Sequence, residues 1–309
     1  MADITAARIN NLQSRVELIL GTGAGQRGYG QSISSGPVDP LLGIIQAEDL
    51  NNIYADTLAA RIHQVGVSDI GVAEVIQNLN IVAEETSNFI NDSGTTSTDP
   101  AGTKKGIADF ERLMTSIEVD RFLINASQAS LEPAINSTRT SAWNGLIYHE
   151  ISVTFADADH RRYFFNTGGE IRFNPANTSA STPKGLDWFD LCDDVGTVKF
   201  NYNSTVSTGD GSGQLIGNYQ LTTTYQTVFR KIGTGTYSNV YAGNIFTIKA
   251  KQNSSNIIMF RIEFEDAVFD NAIDNNVDGR LTSTVEHFRA DSEFVSVAAP
   301  SYFNNHSLA

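Results

Sequence analysis

The sequence predicts an α+β protein, an N-terminal helical region followed by a C-terminal antiparallel β-sandwich. Three observations predict it. Apolar residues recur at helical spacing up to about residue 132. From about residue 140 the period falls to two, so that each strand has one buried and one wet face. The strand candidates come at short intervals, separated by "TGDGSG", "GTGT" and "NSSN". These observations divide the chain into a helical assembly region with a glycine-rich connector over 1–132 and a β-sandwich over 133–309, with the boundary near 133–142.

In "ARINNLQSRVELIL" the apolar positions are Ile9, Leu12, Val16, Ile19 and Leu20, one face of a helix. "AEDLNNIYADTLAARIHQV" repeats the pattern at Leu50, Ile53, Tyr54, Leu58 and Ile62. A third segment carries Val72, Val75, Ile76, Leu79 and Val82, and a fourth Ile107, Phe110, Leu113, Met114 and Ile117. Asp99 before Pro100 suits a turn leading into that fourth segment, since proline is tolerated where the first helical N–H has no partner. In the second half Ile151, Val153 and Phe155 alternate with Ser152 and Thr154. Ile258, Phe260, Ile262 and Phe264 alternate with Met259, Arg261 and Glu263. Val198, Phe200 and Tyr202 follow the same rule, as do Leu281, Ser283 and Val285 more weakly. Six to nine strands are expected.

Bulk properties exclude several classes of function. A chain of 309 residues with 40% hydrophobic and 18% charged residues can bury a sizeable core without metal or disulfide. No run approaches the roughly 18 apolar residues needed to cross a bilayer, so no membrane insertion is expected. The opening "MADITAARINNLQSRV" lacks the apolar centre of a signal peptide, which points to a cytoplasm. The single cysteine, Cys192, reads as a lone buried thiol. Net charge is −14 and no Lys/Arg cluster exceeds "TKKG" or "HRR", which argues against direct nucleic-acid binding.

The stretch "LGTGAGQRGYGQSISSG" at 20–36 invites a phosphate reading. A dinucleotide loop needs a strand before the glycines and a helix after them. Here helical periodicity precedes the loop and "QSISSGPVDP" follows it, so the context is reversed. The P-loop pattern fails too, because no Gly-Lys-Ser/Thr follows. The loop is expected to be a connector whose glycines supply positive φ, ordered only when a neighbouring subunit packs on it.

"DNNVDG" matches the first half of a calcium loop at Asp274, Asn276, Asp278 and Gly279. The match then breaks: position twelve is Val285, with Glu286 one place late. Tight turns also favour Asn, Asp and Gly, so calcium at Asp274, Asn276 and Asp278 stands against a plain turn. "ADADHRR" gathers Asp157, Asp159, His160, Arg161 and Arg162, which reads as a self-pairing turn before an acid–base site. His63, His149, His287 and His306 show no metal-ligand spacing, and no G-x-S-x-G surrounds a serine. Adjacent carboxylates such as Asp193 and Asp194 could serve a hydrolase only if the fold set two acids across a cleft. The aromatics Tyr163, Phe164, Phe165, Trp143, Trp188 and Phe189, with the tail "APSYF", read as core or interface, or as a glycan-stacking surface. No catalytic or cofactor-binding residue is expected.

"DADHRRYFFNTGGEIRFNPA", "LDWFDLCDDVGTVKFN", "IGNYQLTTTYQTVFRK" and "NIFTIKAKQNSSNIIMFRIEFEDA" resemble a family of virion structural proteins of contractile-tailed bacteriophages, and "INNLQSRVELILGTGAGQRGYGQS" and "DLNNIYADTLAARIHQVG" resemble its N-terminal part. The Y-F-F-N-x-G-G-E-I-R run at 163–172 is the most specific element. The resemblance implies a non-enzymatic component of a tail, baseplate or neck, assembled in the host bacterial cytoplasm. Its implied partners are copies of itself and other phage tail or neck proteins. The alternative is a fibre-associated adhesin binding a host glycan, favoured by an exposed Trp143 or Trp188 beside an Asp/Asn groove.

Overall fold

The computed structural model describes residues 5–39, 45–66, 89–90, 105–268 and 276–308. The helical segment expected over Val72–Val82, the Asp99–Pro100 turn and Asp274 lie outside these residues. The chain divides into two compact units. The first comprises Met1–Ser130, Arg162–Gly168 and Arg289–Val297, and the second comprises Leu131–Arg161, Gly169–Phe288 and Ala298–Ala309.

Among the described residues of the first unit, the helices are α1 (Ala6–Ile19), α2 (Ala47–Val65) and α3 (Ile107–Val119). Thr5 caps α1 by accepting from the Arg8 amide, and Ile9, Leu12, Val16 and Ile19 turn inward as the spacing predicts. The inward residues of α3 include Phe110, Leu113, Met114 and Ile117. Arg8 pairs with Glu111 and Arg15 with Glu118, at 2.8 and 2.9 Å. Each set steps by seven residues in the same sense, so α1 and α3 run parallel with two turns of each helix clasped. These partly exposed pairs fix register more than they stabilise, at about 0–1 kcal/mol each.

On α2 the buried face departs from the expected one. Leu50, Tyr54 and Leu58 are only partly buried, while the polar residues Asp56, His63 and Gln64 are buried. The reason is hydrogen bonding to the 20–36 loop and its neighbours, described below. Phe89–Ile90 (β1) pairs in parallel with Lys105–Gly106 (β2).

Two antiparallel sheets make the sandwich, as expected for the α+β class. The six-stranded sheet has the order β13 (Ser301–His306), β4 (Gly145–Thr154), β11 (Ile257–Asp266), β10 (Ile245–Ser254), β9 (Gln226–Ile232) and β8 (Ser212–Gly213). The five-stranded sheet runs β3 (Ala129–Arg139), β12 (Arg280–Ala290), β5 (Glu170–Thr178), β6 (Val198–Phe200) and β7 (Thr205–Ser207). The strands outnumber the six to nine expected because β7 and β8 are too short to show a period.

Alternation places Ile258, Phe260, Ile262 and Phe264 inward, all at most 1% exposed. Phe260 meets Phe173 and Phe200 of the opposite sheet, with ring centroids 4.9 and 5.0 Å apart. These contacts are the centre of the sandwich core.

Two helices interrupt the strand half where none was expected. Residues "ADHRRYFFN" form α4 (Ala158–Asn166), and α5 spans Pro183–Val195. Thr182 caps α5 and Pro183 takes its first turn, while Trp188, Leu191, Cys192 and Val195 form its buried face at i, i+3, i+4 and i+7.

Candidate functional site

The glycine-rich loop is built on its own chain. Tyr29, Gly30 and Gln31 amides donate to the carbonyls of Ile19, Gly21 and Leu20 at 2.8, 2.8 and 2.9 Å. Gly23, Gly25, Gly28 and Gly30 all have positive φ. At Gly28 (φ +106°) a Cβ would stand 2.3 Å from the Thr22 carbonyl oxygen, and at Gly30 it would strike the Tyr163 ring. The space those hydrogens leave lets the loop fold back on itself and on Tyr163.

A phosphate loop turns its N–H groups toward an anion. This one turns carbonyls toward a cation. The Arg162 Nη1 donates to the Thr22 carbonyl at 2.8 Å and to the Arg27 carbonyl, and Asn166 Nδ2 donates to the Gly28 carbonyl at 3.0 Å. Within the chain, the residues of α4 supply these contacts to the loop.

Buried polar groups complete the arrangement. The Tyr29 hydroxyl donates to the Arg121 carbonyl at 2.6 Å and accepts from Gln64 Nε2 at 3.1 Å. Asp56 accepts from the Ser34 and Ser35 amides at 2.9 and 2.7 Å. His63 packs edge-on to Tyr29, and its Nε2 lies 3.0 Å from the Thr167 carbonyl oxygen. That oxygen can only accept, so Nε2 carries the proton. Burial pushes the pKa of His63 down to about 4, so the ring is neutral at pH 7.

The remaining sequence-nominated residues are dispersed. Asp157 accepts from the backbone amide of His160 and contacts its ring, both at 2.8 Å, and these bonds lower its pKa. Arg161 is buried and donates to Asn218 Oδ1 at 2.6 Å; desolvation pulls its pKa down to about 10. Asp194 pairs with Lys231 at 3.2 Å. Burial pushes the Cys192 thiol up, which makes it inert. Asp278 accepts from the amides and hydroxyls of both Ser181 and Thr182, at 2.6–3.3 Å, and so anchors the start of α5. Burial alone would raise its pKa, but these donors outweigh it and hold the carboxyl below its usual range. Among the described residues, no group of three His, Cys, Asp or Glu is placed to hold a metal ion.

Trp143 and Trp188 are 5% and 0% exposed and meet each other at 5.0 Å inside the sandwich. They offer no stacking surface to a glycan. Phe164 and Phe165 are likewise buried.

The outward face of the six-stranded sheet has a different character. His306 stacks on Tyr148 at 4.2 Å, Arg261 lies over both Tyr148 and Tyr225, and Lys251 lies over Tyr225. Glu150 holds this row by pairing with Arg261 at 2.6 Å and accepting from the Tyr225 hydroxyl at 3.0 Å. Burial raises the Tyr225 pKa, with Glu150 adding to it. Apolar groups lie on either side of this row. Strand register aligns Leu146, Glu265, Ile245 and Ile232 at one end and Phe303, Ser152 and Met259 at the other. Phe303 is 67% exposed, Leu146 54% and Ile232 45%. The sequence signal for this face was the outward half of the alternation, which a reading aimed at catalytic residues passes over.

Comparison with protein-family models, curated proteins and solved structures returns no match.

Proposed function

We propose that the protein is a non-enzymatic structural component of a bacteriophage virion, acting in the tail, baseplate or neck by symmetric packing of its copies. One observation carries the assembly reading. Phe303 lies two-thirds exposed on β13, a strand at the margin of the six-stranded sheet, and Leu146 and Ile232 extend apolar surface across the same outward face. Edge strands carrying large apolar groups favour pairing with another chain. Aromatic, methionine and arginine side chains between them give the composition of a protein interface. The resemblance of "YFFNTGGEIR" and its flanking segments to phage virion proteins supplies the particle context.

Internal bonding of the nominated polar residues supports the same reading. Arg162 and His63 shape the glycine loop, and Asp278 anchors α5. Negative-stain electron microscopy of the purified chain tests the proposal. Closed rings or stacked discs are expected. A field of isolated single copies at micromolar concentration would overturn it.

A further inference from the structure

Three side chains meet inside the sandwich, none more than 1% exposed: Lys184 in the first turn of α5, Asn244 immediately before β10, and Asp266 at the end of β11. The pairing of Ile245 with Glu265 sets Asn244 and Asp266 side by side. Lys184 Nζ lies 2.6 Å from Asp266 Oδ2 and donates to the Val268 carbonyl at 2.9 Å. With its amide turned to suit its neighbours, Asn244 Nδ2 donates to Asp266 Oδ1, and Asn244 Oδ1 accepts from the Trp188 indole, each at 3.1 Å. Tyr241 faces the lysine at 5.6 Å, and Phe264 lies against Trp188 at 6.0 Å.

We propose that Lys184 and Asn244 become joined by an intramolecular isopeptide bond, with Asp266 as the proton carrier. A charged pair enclosed by aromatic rings is costly, and passing the proton from ammonium to carboxylate relieves that cost. Burial raises the pKa of Asp266 against the opposite pull of Lys184, the direction this transfer needs. The transfer leaves a neutral amine, and a desolvated lysine of this kind is a nucleophile.

The lone pair of Lys184 Nζ attacks Asn244 Cγ, and the carbonyl electrons move to Oδ1, where the Trp188 N–H stabilises the developing charge. Asp266 delivers its proton to Nδ2 and takes one from Nζ. The Cγ–Nδ2 bond then breaks as the carbonyl re-forms, and the departing ammonia takes up the proton that Asp266 now holds and leaves as ammonium. In balance, one C–N bond forms and one breaks, the lysine's charge leaves as ammonium, and Asp266 ends as the carboxylate it began. No oxidant or other reactant takes part. The product staples α5 to β10 and needs no neighbouring copy, so the inference does not rest on the assembly reading.

Mass spectrometry of the denatured full-length protein and a tryptic map test it. The expected mass is that of the sequence less one ammonia. Trypsin should fail to cut after Lys184, and a branched peptide should join the Lys184 and Asn244 fragments. An unreduced mass with normal cleavage after Lys184 would overturn the proposal. So would loss of water with a Lys184–Asp266 link, because the proton carrier would then be the electrophile. Asp266→Asn, checked for native circular dichroism, should show the unreduced mass. A linked peptide in that folded variant would remove Asp266 from the chemistry. The wild-type map decides the existence of the bond even if the variant does not fold.

Discussion

The glycine-rich loop of the first unit and the six-stranded sheet of the second reach order by opposite routes. In the sheet, order is local and repetitive: Ile258, Phe260, Ile262 and Phe264 of β11 are apolar and inside, and only Asp266 at the strand's end breaks the series. In the loop, order is imposed from far along the chain by Arg162 and Asn166, 135 or more residues beyond the carbonyls of Arg27 and Gly28 that they hold. Repetition fixes the register of a sheet many times over, although each inward side chain still carries its own buried area. A loop closed by a few long-range bonds and positive-φ glycines has no such redundancy.

The largest effect that separates the two should come from the sandwich core, where substitutions remove the most buried surface. Trp188→Ala should cost about 3–5 kcal/mol in urea unfolding, since the indole is fully buried against Trp143 and Phe264. A loss below about 1 kcal/mol would mean that α5 is not integral to the sandwich. Gly28→Ala should cost about 2–4 kcal/mol from one added methyl, because φ is +106° and the Thr22 carbonyl is in the way. Equal stability of Gly28→Ala and the wild type would break the contrast, showing a loop that yields freely.

A pH titration sharpens the comparison at intermediate size. His63 is held neutral in the folded protein at a pKa of about 4, against an ordinary 6.5. Between those values the unfolded chain binds more protons, so stability is full above pH 6.5 and is lost as pH falls toward 4. The part due to His63 should reach about 3 kcal/mol below that window and vanish in His63→Gln. An unchanged pH profile in that variant would show that His63 does not titrate as its burial implies.

The smallest effect on folding should be at the outward face. Phe303→Asp should leave urea stability within about 0.5 kcal/mol, since the ring is mostly in water. A larger loss would mean that Phe303 supports the fold of the single chain.

What could be read in advance follows the same division. The sandwich was legible because alternation at Ile258–Phe264 and Ile151–Phe155 encodes a buried face directly. Helices α1 and α3 were legible for the equivalent reason at helical spacing. The α5 helix was missed although its signals were present: Thr182 and Pro183 at the start, then Trp188, Leu191, Cys192 and Val195 on one face. The carboxylates and aromatics of "LDWFDLCDD" obscure that face, because they also fit a surface or site segment. The interior of α2 was illegible because Asp56, His63 and Gln64 are buried to satisfy backbone and hydroxyl groups brought in by folding. The same is true of Arg162, Tyr163 and Asn166, which in sequence look like a turn followed by core aromatics. No local pattern announces a residue that fills a loop so distant in the chain. The Lys184, Asn244 and Asp266 cluster is of this kind too, assembled from three separate elements.

The proposed assembly packs copies of the chain through the Phe303 face. The most direct test is the mass of the purified protein in solution, by light scattering behind a sizing column, for the wild type and Phe303→Asp. A stable multi-copy species that Phe303→Asp reduces to single chains is the predicted result. A wild type that elutes as a single chain across the accessible concentration range, with Phe303→Asp indistinguishable from it, would rule out packing through this face.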